Sequence, residues 1–394
     1  MKKVMAGKVL NIFEEVYGDK EGARVYFAPG RINLIGEHTD YNGGHVLPCP
    51  IEMGTYCAIK TKNGGTTRMY SGNFPESGII EWDMNKLAYR EEAGWSNYPA
   101  GVIWTCAEKG LRSDQGVSIA FLGDIPNQSG LSSSASIEVV TGYAGNELLN
   151  LNIALVDLAL MGQKAENIFV GMGCGIMDQF TAALGKAGHA IFLNAADLSY
   201  EYVPVALDKY SLLIMNTCKQ RHLVDSKYNE RLAECRKAQM WLQFELDIDY
   251  LCDINEEQFE EYKYLIEDPT EQKRAKHVIY ENARTIKAKA LLEEGDLVQM
   301  GKLLNESHIS LREDYEVTGI ELDTLVEAAW EQEGVLGARM TGAGFGGCAI
   351  CIAERDKVDD IISRVGEAYE EKIGYKAEFY LTEIGGGPEE IIAD

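Results

Sequence analysis

Charged and hydrogen-bonding side chains crowd one stretch near the N-terminus. Arg31, Glu37, His38, Asp40 and His45 stand there among glycines, asparagines and prolines, beside apolar Leu34 and Ile35. Carboxylates with His and Asn offer acceptors and donors for the several hydroxyls of a sugar, and Arg31 could neutralise a phosphate. A charged surface turn is the plainer reading of the same residues. A second stretch, Gly130-Leu131-Ser132-Ser133-Ser134-Ala135-Ser136, joins an apolar strand predicted at 117–122 to a helix predicted at 137–149. A loop that opens a helix presents backbone N–H groups without intrahelical partners at the positive helix end. Beside consecutive hydroxyls, those donors suit an anion such as phosphate. The loop lacks the Gly-Lys-Ser/Thr of the Walker pattern, and Ser132 or Ser133 acting only as a helix cap is the alternative.

A third stretch, Gly171-Met172-Gly173-Cys174-Gly175-Ile176-Met177-Asp178, is a Gly-rich bend that leads into a helix. Asp178 either complements the helix dipole or serves as a general base near a closely approached substrate. Trp95 and Tyr98 precede a helix from about residue 99 and read as core or lid packing. Tyr228 reads as a packed helical tyrosine.

Composition limits what such groups could meet. The chain has 394 residues, 46% hydrophobic and 25% charged, as expected of a soluble globular protein with two domains or one large one. A formal charge of −25 argues against nucleic acid or an anionic membrane surface as partner. A polyanion would have to be held by local backbone dipoles, a few cations and a metal. Nine scattered cysteines suggest no disulfide framework, and Cys348 and Cys351 fall in what reads as a buried strand rather than a zinc or redox pair. There is no signal-peptide pattern, and no apolar run reaches the roughly 18 residues of a spanning helix, so a cytoplasmic protein is expected.

The run Gly30-Arg31-Ile32-Asn33-Leu34-Ile35-Gly36-Glu37-His38-Thr39-Asp40-Tyr41-Asn42 resembles the galactokinase signature. That group belongs to the kinase superfamily named for galacto-, homoserine, mevalonate and phosphomevalonate kinases. The stretch at 130–136 resembles the superfamily's phosphate-binding motif, and Gly342-Ala343-Gly344-Phe345-Gly346-Gly347 resembles its third motif. The three occur in the superfamily's order and span nearly the whole chain. The resemblance implies an α+β fold of two domains with the active site in the cleft between them. The N-terminal domain would hold a mixed sheet with helices, and the C-terminal domain an antiparallel sheet with helices. It implies transfer of the ATP γ-phosphate to the anomeric hydroxyl of α-D-galactose, with Asp178 as base and Arg31 offsetting phosphate charge. Glu37, His38, Asp40, Gly175 and Tyr228 would hold the sugar. Trp95 and Tyr98 would flank adenine, and residues 130–136 would cradle the phosphates. Glu166 and Ser134 would bind Mg²⁺, a hard cation suited to oxygen ligands. Galactose and ATP would be the partners of a monomer or weak homo-oligomer. A kinase for N-acetylgalactosamine and a non-catalytic regulator binding the same ligands stay open; the intact Ser134-Ala135-Ser136 favours catalysis. The chain departs from the family pattern at Cys218, Gln220 and His222.

Elements to carry these groups follow from period and punctuation. A helix at 8–17, a strand at 25–28, strands at 52–62 and 66–71 around Asn63-Gly64-Gly65, a strand at 79–84 and a helix at 99–109 precede the phosphate loop. Helices at 153–169 and 177–184 follow it, then strands across 190–205 and at 210–216. A domain junction there gives an N-terminal domain 1–205 and a C-terminal domain 206–394. Helices at 225–243, 256–266, 271–293, 297–313 and 322–332 carry solvated charged faces, with His277 and His308 as surface or packing residues. A Gly-rich loop then a strand over 338–352, a helix at 357–371, a strand at 377–381 and a flexible Gly385-Gly386-Gly387-Pro388 tail complete the chain.

Overall fold

The computed structural model describes residues 2–108, 115–126, 129–219 and 224–392. Gln220 and His222 lie outside the described residues, as do positions 127–128 just before the phosphate loop. The strands are β1 (Arg24–Asn33), β2 (His45–Val46), β3 (Pro48–Asn63), β4 (Thr66–Ser71), β5 (Ile80–Asp83), β6 (Gln115–Gly123), β7 (His189–Asn194), β8 (Tyr200–Pro204), β9 (Tyr210–Asn216), β10 (Val335–Thr341), β11 (Cys348–Glu354), β12 (Glu378–Thr382) and β13 (Glu389–Glu390). They form a six-stranded sheet in the order β13-β1-β3-β6-β4-β5, a four-stranded sheet β10-β11-β9-β12 and a three-stranded sheet β2-β7-β8. The first sheet is mixed, since β4 runs parallel to β6 while the other pairs are antiparallel. The second is antiparallel throughout. Both match the expected α+β architecture.

Strand alternation decides what each sheet face buries. On the six-stranded sheet Phe27, Tyr56, Ala58 and Ala120 pack under the helix Lys2–Tyr17. Tyr26, Cys57, Ile59, Ile119 and Phe121 point the other way, onto the helices Asn97–Glu108, Ser133–Leu149, Leu155–Lys164 and Met177–Leu184. The four-stranded sheet lays Leu213, Met215, Met340 and Cys351 against helices including Val224–Leu242 and Gly319–Trp330. Its opposite face, with Ile214, Cys348 and Ile350, joins Ile32, Leu34, Ile35 and Leu47 in a core shared with the N-terminal signature. That shared core fixes the signature between the two large sheets.

Several expectations change. The first strand does not stop at residue 28 but continues through Pro29-Gly30-Arg31 to Asn33. Pro and Gly read as punctuation, yet here they mark a register shift between Pro29 and Arg31. The phosphate-loop helix begins at Ser133 rather than 137; serine's weak helix propensity hid its first turn. The helix expected over 153–169 ends as an α-helix at Lys164 and continues as a π-helical turn, Ala165–Val170, that carries Glu166. Residues 338–352 are not a loop followed by a strand. The strand β10 comes first and forms a hairpin with β11 around the Gly-rich loop. Gly337, just before that stretch, sits inside β10, where an added Cβ would lie 2.1 Å from the Gly301 carbonyl oxygen. The tail is tied down, with Gly385 N–H donating to the Pro50 carbonyl at 2.9 Å and β13 pairing with β1. His277 and His308 are fully buried. No helix among the described residues is long and apolar enough to cross a membrane.

Candidate active site

Asp178 sits in the first turn of the helix Met177–Leu184, and the shifted register of β1 brings Arg31 to it. Arg31 Nε donates to Asp178 Oδ1 at 2.9 Å and Nη2 to Oδ2 at 2.7 Å, a two-pronged pair. The third guanidinium nitrogen, Nη1, donates to the Gly130 carbonyl at 2.7 Å. Ser132, with a left-handed φ of 61°, donates its hydroxyl to Asp178 Oδ2 at 2.5 Å. One carboxylate therefore ties the first strand, the phosphate loop and the Gly-rich bend together. Arg31 is buried and the Asp178 side chain is 29% exposed. Both line a cavity of about 610 Å³ together with Glu37, His38, Asp40 and Tyr228.

Asp40 is half-buried at the cavity wall, and burial, with the nearby Asp178 charge, pushes its carboxyl up to about 6. It accepts from the backbone N–H groups of Met177 and Tyr41. Gly175 is obligatory beside it, since an added Cβ would lie 1.7 Å from Asp40 Oδ2. His38 also has a left-handed backbone, with φ 66°. Burial keeps its imidazole well below the ordinary pKa and so uncharged. Tyr228 packs its ring 5.8 Å from that of His38. Glu37 is braced rather than free. Its Oε1 accepts from Gly342 N–H at 2.8 Å, its Oε2 accepts from Asn33 Nδ2 at 2.5 Å, and Arg339 Nη2 stands 2.7 Å from Oε2 as an ion pair. Burial still pushes the Glu37 carboxyl up, against the pull of Arg339.

The phosphate loop divides by direction. Ser133 is exposed and Ser134 half-buried. Leu131 and Ala135 turn their side chains into the core, and Ser136 donates its hydroxyl to the Ala28 carbonyl at 2.8 Å. Those three can meet a ligand only through backbone or shape. Gly342 abuts the loop, with φ 85° and an added Cβ 3.0 Å from the Gly130 carbonyl. Gly344 and Gly346 face Val317 and Lys219 instead. Tyr98 lines the cavity. Trp95 packs on Phe121 at 5.7 Å, on the margin of the N-terminal core.

Glu166 is buried, with its carboxyl raised to about 7 by burial and by Asp178, and it accepts hydrogen bonds from Ser134 and Gln179. Gln179 Nε2 bridges Glu166 Oε2 at 2.7 Å and Glu138 Oε2 at 2.9 Å. Glu138 Oε1 is buried without a partner among the described residues. Among the described residues no group of three or more His, Cys, Asp or Glu is arranged to hold a metal. Mg²⁺ does not require one, because one or two carboxylates with substrate phosphates suffice. A buried carboxylate joined to a loop hydroxyl fits that donor set.

Sequence reasoning missed Asn33, Glu138, Gln179 and Arg339. The first three sit beside predicted site residues in sequence, and that proximity was the available signal. Arg339 stands in a strand read as loop.

Three family models match this chain: the galactokinase galactose-binding signature over residues 11–61, the GHMP kinases N terminal domain over 97–186 and the GHMP kinases C terminal over 288–371. A galactokinase of Ligilactobacillus salivarius is 52% identical, covering 97% of this chain and 99% of the relative. One of Bacillus subtilis is 49% identical over 98% and 99%. The crystal structure of Lactococcus lactis galactokinase complexed with galactose superposes with a TM-score of 0.96 at 47% identity, covering 98% of this chain and 100% of that one. A mevalonate kinase at 18% identity and TM-score 0.63 shares the fold. With 52% of its residues shared along nearly the full length of such a relative, and its motifs gathered around one cavity, the chain belongs to the galactokinase family.

Proposed function

We propose that this protein transfers the γ-phosphate of ATP to the anomeric hydroxyl of α-D-galactose, giving galactose 1-phosphate and ADP. The observation that carries this reading is the Asp178 carboxylate, held by Arg31 and Ser132 at the wall of a cavity lined by polar groups. Relatives named galactokinase, one of them solved with galactose, support the choice of sugar. Asp178 takes the proton of the attacking hydroxyl onto a carboxylate oxygen while the O–P bond forms and the bond to ADP breaks. Arg31 offsets charge on the transferring group. Asp40, His38, Tyr228 and Glu37 hold the sugar hydroxyls, and Gly175 leaves room for Asp40. Tyr98 and Trp95 form the adenine side, and the Ser133 and Ser134 end of the loop, with Gly342 behind it, receives the phosphates. Glu166 and Ser134 would hold Mg²⁺, which when bound would supply positive charge against the phosphates.

Release of ADP measured across galactose, glucose and N-acetylgalactosamine, with and without Mg²⁺, tests the reading. Galactose should exceed glucose in kcat/KM by at least about tenfold, because an inverted hydroxyl leaves a buried acceptor unpaired. Absence of turnover on galactose with ATP and Mg²⁺ overturns it.

A further inference from the structure

The hydrogen bonds of His38 extend behind the cavity wall. Its Nδ1 lies 2.7 Å from the Tyr41 hydroxyl, that hydroxyl 2.9 Å from the Tyr315 hydroxyl, and the latter 3.1 Å from Cys235 Sγ. His38 and Tyr41 line the cavity, whereas Tyr315 and Cys235 are fully buried behind it. His38 Nε2 is buried and has no partner among the described residues. Its ring lies 4.6 Å from that of Tyr315, whose other neighbour is His277, also at 4.6 Å. Asn42 Nδ2 donates to the His38 carbonyl at 2.8 Å and fixes the left-handed backbone.

Burial raises the two phenols and the thiol above their ordinary pKa values and lowers the imidazole, so all four groups are neutral near pH 7. Each then brings one proton, and the chain has two self-consistent directions. In one, Cys235 donates to Tyr315, Tyr315 to Tyr41 and Tyr41 to His38 Nδ1, leaving the proton of His38 on Nε2. In the other every bond reverses and Nε2 is bare. Two features select the first. A bare imidazole nitrogen is a far better acceptor than a phenol oxygen, and the 2.7 Å contact suits an O–H donor better than an N–H donor.

We propose that Tyr41, Tyr315 and Cys235 are positioning residues that hold His38 in the Nε2–H tautomer, so that it meets the sugar as a hydrogen-bond donor. This rests on the sugar-kinase reading above. A donor reads a lone pair, so His38 accepts any sugar substituent that offers one and discriminates against a position that offers none.

Nitrogen-15 NMR of the full chain labelled at histidine tests the tautomer. The chain has six histidines, and His38→Gln, or the resonance moved by galactose, identifies the signal. The expected result is the Nε2–H pattern in free and galactose-bound protein and mixed tautomers in Tyr41→Phe. In parallel, calorimetry with deoxy and deoxyfluoro galactoses should show, at one ring position, the fluoro sugar binding roughly two- to tenfold tighter than the deoxy sugar. That margin should vanish in Tyr41→Phe. An Nδ1–H pattern in the wild-type protein overturns the proposal, and needs no variant to fold. A His38 signal unmoved by bound galactose overturns it while leaving the kinase reading intact. Failure of galactose to bind at all sinks the kinase reading, while the free-protein tautomer still stands or falls by itself.

Discussion

Two arginine–carboxylate pairs hold the sugar signature, each with a 2.7 Å contact: Arg339 with Glu37, and Arg31 with Asp178. In the first, side-chain exposures are 0% and 1%; in the second they are 5% and 29%. Glu37 spends its oxygens on Gly342, Asn33 and Arg339, and Arg339 Nη1 in turn donates to the Asn33 and Leu34 carbonyls. That pair stitches β10 to the signature across the shared core. The Asp178 pair has the same chemistry but opens onto the cavity. A carboxylate that must exchange a proton needs open access to a ligand, whereas one that chiefly holds two sheets together can sit almost wholly enclosed at the cavity wall. Breaking each pair should therefore fail differently, one in rate and the other in stability.

The largest expected effect is on rate. Asp178→Asn keeps size and most hydrogen bonding but cannot take a proton, so kcat should fall by about 10²–10⁴. Calorimetry should find galactose and ATP still bound, and the thermal midpoint should stay near wild type. A variant that turns over at the wild-type rate would remove Asp178 from the chemistry. Loss of galactose binding would make it a sugar ligand first.

The buried pair should break the other way. Arg339→Met leaves Glu37 enclosed without its cation, which costs about 3–5 kcal/mol of stability in urea unfolding. The surviving folded fraction should retain a substantial kcat. A change below about 1 kcal/mol would mean that the pair is dispensable and that the hydrophobic core alone holds β10 in place.

How legible was this contrast in the sequence? Asp178 and Arg31 stood out because each sits in a Gly-rich stretch, but the residues alone allowed Asp178 to be a helix-dipole carboxylate, and its role as base came from the family resemblance. Their pairing could not be read, because it depends on a register shift in a strand whose Pro29 and Gly30 look like its end. Arg339 was hidden by the glycines that follow it: the run from Gly342 to Gly347 made the whole start of 338–352 look like loop, whereas it forms only the turn between β10 and β11. Most strands and helices followed from periodicity, because burial on one face imposes it, whereas the sheet types came only from the family resemblance. The serines of the phosphate loop misled at the helix start, since hydroxyls that cap and hydroxyls that lie within a first turn read alike.

A pH test sharpens the comparison within the signature itself. Burial and Asp178 raise Asp40 to about 6, so its neutral form is favoured in the fold. The carboxylate is present above that value and lost below it. If Asp40 accepts from a sugar hydroxyl, galactose affinity should be full near pH 7.5 and fall as the pH drops through 6, approaching tenfold per unit below it. For stability the sign is the reverse: a carboxyl raised from its ordinary 3.8 costs stability as pH rises from there through 6. Asp40→Asn should flatten the affinity profile. A wild-type affinity constant from pH 5 to 7.5 would mean that Asp40 meets the sugar in its protonated form.

The smallest effect repeats the contrast inside a single loop. Ser134 is half-buried and bonded to Glu166, on the side where phosphate and metal would lie. Ser136, two residues on, is fully buried and donates to the Ala28 carbonyl at 2.8 Å, with Thr55 Oγ1 2.9 Å away. Both look alike in the sequence, yet only one can touch a ligand. Ser136→Ala removes a buried donor and leaves the Ala28 carbonyl short of a partner, so stability should drop by roughly 1–3 kcal/mol. KM for ATP and the Mg²⁺ concentration for half-maximal rate should hold within about twofold, since the altered group faces away from the site. Ser134→Ala should do the opposite, shifting the Mg²⁺ requirement upward with little change in unfolding midpoint. Measuring unfolding and the Mg²⁺ titration on both variants separates the two. If Ser136→Ala alone moved the Mg²⁺ titration, the loop would act as one rigid cradle in which inner and outer hydroxyls cannot be told apart, and Ser134 would lose its place as the metal-side ligand.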